Sequence, residues 1–563
     1  MFTRRRMLKL GLLGGAAPLL RLTGASAQVP PFSFDAPSPP TTRFVRSLPI
    51  PPTTQPVARF AAPDCPLDIV NNAATRFFKV VEEEAMVSLH PELPNTRVWR
   101  YRDVNTPATS GIALGPTFKV RQNRAGVARF TNSLPDPSFG FGVNHSTVHL
   151  HGAHAAARDD GFPDDIAQLR ALFHPGESRD YCYPHRDPGF STGEVELDLN
   201  GVLVDRPSTN WYHDHLLDFT GPNVYRGLSG FYLHTDEIDT GNENDPPPAL
   251  KLPSGAFDIP LVFQDRRIAR DGSLIYLPGE HDGFLGDKWL VNGAIQPFLR
   301  VKRRKYRFRL LNGCNARQLM LFLTDKAGNI KPFIHIATGG GLMDSPINTD
   351  RIFAISAQRH EIVIDFSKFP TGTELYLEDR LDQNDGRGPE GTFDDPKLLA
   401  RGRQFIKFIV ENAVADPSKV PARLRPFDPV PKGVLAAAKR REFIFDGRRG
   451  GWAINGKFVD INKPIASPAI NTPEVWRLVN KSGAWWHPVH VHLEFMRVLT
   501  RNGKQPPLEE RDGQSRMDTV MLGPNDEVEV YFKFRDFPGP FVFHCHNIEH
   551  EDMFMMARFD VVG

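Results

Sequence analysis

The chain has 563 residues with 68 basic and 66 acidic side chains, for a formal net charge of +2. That length exceeds what one hydrophobic core can serve and points to about three or four domains. The charge balance excludes a global attraction to nucleic acid or an anionic membrane, and 41 Phe with 50 Pro suit a turn-rich β protein rather than a helical bundle.

Residues 1–27 read as a targeting segment. Thr3-Arg4-Arg5-Arg6-Met7-Leu8-Lys9 precedes an apolar run from Leu10 to Leu22, and Ala25-Ser26-Ala27 supplies a cleavage site. The arginine pair is similar to a twin-arginine export signal, which implies a periplasmic or secreted protein. The run is too short for a permanent membrane anchor, and no later stretch is apolar enough to span a bilayer. Residues 28–57 are Pro-rich, an extended arm expected to stay out of any core. From 58 onward short runs alternate apolar and polar residues between turn signals, the pattern of antiparallel β-sandwiches. Three such units are expected, at 58–240, 241–412 and 439–563, with 413–438 as a linker. Residues 183–210 and 381–397 read as inserted loops. The basic run Lys302 to Arg309, interleaved with Tyr306 and Phe308, reads as a strand with one charged face.

Cys65, Cys182, Cys314 and Cys545 are the four cysteines, too few for a disulfide scaffold. An oxidising compartment would allow one disulfide among the first three; the pairing stays open. Cys545 stands apart because of its neighbours.

Ten of the 19 histidines fall into four short clusters: His149-Leu150-His151; His213-Asp214-His215; His487-Pro488-Val489-His490-Val491-His492; and His544-Cys545-His546, with His550 following. On a strand, residues i and i+2 share a face and i+1 takes the other. His544 and His546 therefore point away from Cys545, and one segment can touch two metal sites. A thiolate, two imidazoles and a weak axial thioether suit a blue copper site. His550 and Met555 lie beyond the strand, where the chain can fold back toward Cys545. Eight histidines remain, two from each cluster, and imidazoles without thiolate suit copper that binds O2. A structural zinc needs four closed ligands, far fewer than this set offers. Non-haem iron brings a carboxylate that the clusters lack.

The four clusters, in this order, resemble the multicopper oxidases: laccases, bilirubin oxidases, ascorbate oxidases and relatives. The ending His544 to Met556 is similar to the branch with bacterial spore-coat laccase, bilirubin oxidase and phenoxazinone synthase. So are Asn223-Val224-Tyr225-Arg226-Gly227-Leu228 and Leu290-Val291-Asn292-Gly293. The resemblance implies an all-β fold of three consecutive cupredoxin-like, Greek-key β-sandwich domains holding four copper ions. By motif, His487, Cys545, His550 and axial Met555 would hold the type 1 copper. His149 and His490 would hold the type 2 copper. His151, His213, His215, His492, His544 and His546 would hold the type 3 pair. Cys545 with His544 and His546 would carry electrons inward, and Asp160 and Glu551 would assist the reduction of O2. The partners implied are O2 and a small reducing substrate, met by a monomer. Phenols, aromatic amines or bilirubin-like tetrapyrroles come first, and Mn(II) or another metal ion is the alternative. A copper-storage or carrier role is the rival reading of another class; it would need no buried O2 site.

Overall fold

The computed structural model describes residues 37–137, 141–197 and 205–563. The expected signal segment 1–27, the first part of the arm and residues 198–204 of the first inserted loop lie outside the described residues. The fold is nearly all-β, with short helices at Leu67–Val70, Thr220–Arg226, Lys432–Ala437 and Ile548–Asp552. No helix among the described residues is long and apolar enough to cross a membrane.

Among the described residues, six sheets pack as three pairs. In the first pair, Thr96–Asp103, Arg76–Val87, Gly126–Asn132 and Ser178–Tyr183 lie side by side. They face the sheet Phe118–Arg121, Ser229–Thr235, Thr209–Asp214 and Val148–His151. Alternation supplies the core between them: Phe78, Val80, Tyr101 and Phe130 from one sheet meet Phe118, Leu150, Tyr212 and Tyr232 from the other. The middle pair, built around Asp258–Ile268, Lys305–Asn312 and Leu398–Ala413, closes on Leu261, Phe263, Phe308, Leu321 and Phe408. In the third, Lys439–Arg448, Pro473–Asn480 and Glu527–Lys533 face Met556–Val561, Gly539–Cys545 and His487–Val491. Trp476 sits at the centre of that core, fully buried among Phe443, Phe532, Phe534, Phe543 and Phe559. Between the last two pairs, residues 414–430 are irregular, and Arg425 ties them to the first pair through a buried ion pair with Asp236.

Two details differ from the sequence reading, and a third fills in a pairing it left open. The Pro-rich arm does enter a core: Leu48 is 6% exposed and packs with the middle sandwich. An extended segment keeps its backbone groups free, and here they pair with strand edges, Leu48 N–H with Phe298 O at 2.8 Å and Thr54 N–H with Thr117 O at 3.0 Å. The basic run is not one strand. It breaks at Arg304 into Phe298–Arg303 and Lys305–Asn312, which belong to different sheets. Its charged face is buried at the junction with the first sandwich: Arg307 pairs with Asp239 and Glu361, and Arg309 with Asp258 and Glu361. The disulfide left open joins Cys65 to Cys182. Cys314 and Cys545 are buried free thiols.

Glu361 accepts from Thr209 Oγ1 at 2.7 Å and Arg307 Nε at 2.6 Å. Burial alone would raise its carboxyl, but Arg307 and Arg309 override this and hold it at about 2, below the ordinary 4.5. A depressed carboxyl contributes stability above its unfolded value and loses it as pH falls through the folded one. The triad should therefore weaken as pH drops from 4.5 toward about 2. Glu361→Ala leaves two guanidiniums buried without their shared partner. It should cost roughly 3–5 kcal/mol, read as a lowered melting temperature near neutral pH, where Asp239→Asn does less.

Candidate metal centre

Strand register places the histidines. His149 lies opposite His213 in the first sandwich, and His490 opposite His544 in the third. Directly opposed residues of an antiparallel pair share a face. Between them, Leu150 opposes Tyr212 and Val489 opposes Cys545, and these point into the two cores. The pleat thus sends eight histidines outward, four from each sandwich, into the seam between the two. All eight are at most 1% exposed.

Backbone carbonyls set the tautomers. His149 Nδ1 lies 2.5 Å from Asp160 O, His490 Nδ1 2.7 Å from Asp518 O, and His213 Nδ1 2.8 Å from Asp214 O. A carbonyl only accepts, so each Nδ1 carries the proton and each Nε2 presents a lone pair. The Nε2 atoms of His149 and His490 then face each other at 3.4 Å, an arrangement that repels unless a cation lies between. His215, His492 and His544 converge likewise, with Nε2 of His492 3.3 Å from each of the others. His151, His213 and His546 form another trio, with ring centroids 5.2–6.0 Å apart. His151 Nδ1, His213 Nε2 and both nitrogens of His546 have no hydrogen-bond partner in the protein. Each orphaned buried group costs about 1–3 kcal/mol, a cost that metal ligation removes at one nitrogen of each ring. Burial, reinforced by neighbouring imidazoles, pushes His149, His151, His490, His492 and His546 well below the ordinary range, and His213 to about 3. Neutral imidazole is the ligating form.

A second cluster sits on the core side of the same strand. His487 Nδ1 and His550 Nδ1 are 3.1 Å apart, and Cys545 Sγ lies 3.5 and 3.7 Å from them. The helix Ile548–Asp552 turns the chain so that His550 returns to Cys545. Met555, fully buried in the same core, accepts the Cys545 N–H at its carbonyl at 3.0 Å. Burial pushes the Cys545 thiol well up; a soft cation would reverse this by taking the thiolate. Two imidazoles and one sulfur, all buried, fit copper by donor type.

Two carboxylates back the histidines. Glu551 lies 3.1 Å from His215 Nδ1 and 2.9 Å from His544 Nδ1, and it accepts from the Thr220 hydroxyl at 2.8 Å. Burial alone would raise its carboxyl; those imidazoles hold it well below the ordinary range. Asp160 meets His492 Nδ1 at 2.6 Å, and its other oxygen has no hydrogen-bond partner. Burial, with Asp159 beside it, pushes Asp160 well up. Two carboxyl groups at one site are thus driven in opposite directions.

Several neighbours had no motif. Asp518 bridges Arg359 to the vicinity of His151, 3.5 Å from its Nε2. Trp211 stacks on His213 at 4.2 Å between ring centroids. On the outer side of the cysteine cluster, Trp452 packs on His550 at 4.3 Å and His487 at 5.2 Å. His281, Asp282 and Trp485 lie over it. In sequence, only the doublet Trp485-Trp486 just before His487 hints at an aromatic wall.

The multicopper oxidase family profile matches residues 425–562. A bilirubin oxidase of Albifimbria verrucaria is 32% identical across 96% of this chain and 83% of its own length. A laccase of Haloferax volcanii is 31% identical across 100% of this chain and 91% of its own. Among solved structures, a multicopper oxidase from Aquifex aeolicus superposes with a TM-score of 0.72 at 24% identity, covering 92% of this chain and 99% of that one.

Glu551 touches two of the seam histidines at once. Glu551→Gln offers one acceptor oxygen and one donor nitrogen, so one of the two Nδ1–H groups loses the carboxylate oxygen beside it, although His544 Nδ1 keeps the Cys545 carbonyl at 3.1 Å. Copper content per chain, measured by elemental analysis after reconstitution, should fall by about tenfold in affinity terms. Full copper content together with slowed reoxidation of the reduced protein by O2 would instead make this carboxylate a proton carrier.

Proposed function

The chain belongs to the multicopper oxidase family and is a laccase-like copper oxidoreductase with O2 as acceptor; we propose that it draws single electrons from phenols, aromatic amines or bilirubin-like compounds. The observation that carries this reading is the two-sided strand Gly539–Cys545 and its continuation. It turns one sulfur toward the core and two imidazoles toward a seam lined by six more.

In the proposed assignment, His487, Cys545, His550 and Met555 would hold a type 1 copper, and His149 and His490 a type 2 copper. The trios His151, His213, His546 and His215, His492, His544 would hold two type 3 coppers. Bound there, copper supplies one-electron acceptance on the cysteine side and reduction of O2 on the histidine side. The protein's own part is geometric. Cys545 is bonded through the backbone to His544 and His546, so the two sides are joined by a covalent path of a few residues. The carbonyls of Asp160, Asp214 and Asp518 lock tautomers, which leaves Nε2 free to ligate. Burial drives the Asp160 carboxyl up beside His492, while the imidazoles of His215 and His544 hold that of Glu551 down. That contrast supports a role for Asp160 in supplying protons to O2 and for Glu551 in orienting the His215 and His544 rings.

Cys545→Ser should abolish the blue absorption and the oxygen uptake while near-ultraviolet circular dichroism persists. A blue band in that variant would overturn the type 1 assignment. An oxygen electrode decides against the storage or carrier reading: copper-loaded protein that consumes no O2 with any phenol, amine, tetrapyrrole or Mn(II) sinks the oxidase reading.

We further propose that the mature protein acts as a monomer in the periplasm or outside the cell after twin-arginine export. The motif at Arg4, Arg5 and Arg6 supports this, and the Cys65–Cys182 disulfide fits an oxidising compartment. Replacing Arg4 and Arg5 by Lys should retain the precursor inside the cell, seen by fractionation. Unimpaired export in a host lacking that pathway would refute it.

A further inference from the structure

The copper-facing rings of the cysteine site are sealed. His487 and His550 are fully buried, and Trp452, which covers both, is 1% exposed. A reductant therefore cannot touch either histidine. Trp452 is covered in turn by His281. The His281 ring stacks on it at 4.5 Å between centroids with 30° between planes, and its side chain is 42% exposed. The Trp452 indole N–H donates to His281 O at 3.1 Å, which fixes the two rings against each other. From solvent inward, the rings run His281, Trp452, then His550 and His487, each in contact with the next.

Asp282 stands beside this stack. Its Oδ1 accepts the Trp485 indole N–H at 2.9 Å and lies 2.9 Å from His281 Nδ1. Those contacts pin the carboxylate and the outer ring together at the rim, with 35% of the Asp282 side chain exposed. Trp485 stands nearly perpendicular to His281, at 83°, and forms a side wall. A flat ring, an upright wall and an anionic acceptor make a seat for a planar aromatic molecule carrying an O–H or N–H.

We propose that the aromatic reductant docks on the exposed face of the His281 ring, oriented by the Asp282 carboxylate, and that electrons enter through the His281–Trp452 stack. This rests on the oxidase reading above and narrows its substrate class. Phenols and aromatic amines fit; a donor carrying carboxylates, such as a bilirubin-like tetrapyrrole, meets repulsion at Asp282. For a phenol, each molecule loses one electron to the protein and its hydroxyl proton to solvent, leaving a phenoxyl radical. Four such events provide the four electrons, and four protons from solvent complete the reduction of one O2 to two waters.

The test uses copper-loaded, full-length wild type, His281→Ala and His281→Phe. Without air, bleaching of the blue band is followed by stopped flow with 2,6-dimethoxyphenol and, separately, with ferrocyanide, which needs no ring seat. His281→Ala should slow bleaching by the phenol about tenfold or more, with ferrocyanide changed less than about twofold. Its blue-centre reduction potential should be that of wild type. His281→Phe, which restores a ring to stack, should recover most of the phenol rate. A redox-inert probe, 4-fluorobenzyl alcohol, should show fluorine NMR broadening with wild type and His281→Phe but not with His281→Ala. The inference is overturned if His281→Ala bleaches with phenol at the wild-type rate, or if both reductants slow alike. A wild-type protein with no blue band to bleach would instead overturn the oxidase reading itself.

Discussion

The two-residue period of a β-strand is the constraint on which everything else depends. Because Cys545 and its two histidine neighbours leave the backbone on opposite sides, one strand can be both the floor of a hydrophobic core and the wall of an interdomain seam. The antiparallel partner repeats the device, with Val489 inward against Cys545 and His490 outward against His544. A register slip of one residue would put imidazoles into the core and valines into the seam. The apolar packing around Trp476 therefore guards the chemistry as much as the stability.

The second determinant is the carbonyl-set tautomer. Imidazole can offer either nitrogen to a metal. Here the loop carrying Asp160, the strand residue Asp214 and the turn at Asp518 each spend a backbone oxygen to decide which. These oxygens belong to acidic residues whose side chains are also engaged nearby, Asp160 with His492, Asp214 with Ser146 and Asn223, and Asp518 with Arg359. Main chain and side chain of one residue then act on different histidines.

Much of this was legible in the sequence because it follows from local spacing. The alternating runs foretold sandwiches, and His544-Cys545-His546 foretold a two-faced strand. What was not legible depends on distant contacts. The Cys65–Cys182 pair is separated by 117 residues, so nothing local selects it over Cys314. Leu48 looks like one apolar residue in a proline-rich arm until Phe298 provides an edge for it. Lys302 to Arg309 alternates as one strand would, yet the acids that pair with Arg304, Arg307 and Arg309 come from residues 239, 243, 258, 361 and 416. His281 and Trp452 carry no motif, since stacking has no required spacing along the chain.

Arg359 deserves its place in the interior for a reason beyond the ion pair it makes. Fully buried, it donates from the middle sandwich to Thr209 O of the first and to Asp518 of the third. The seam it pins holds four histidines from each side, so neither the first nor the third sandwich owns a complete seam site. Any cation gathered there binds only the docked arrangement and none of the separated ones. By linkage, such a ligand stabilises docking by RT ln(1 + [L]/Kd). The strength of the interface is thus not a constant of the polypeptide but a function of free metal, and starvation for metal would be felt first as loosened docking while each sandwich stayed folded.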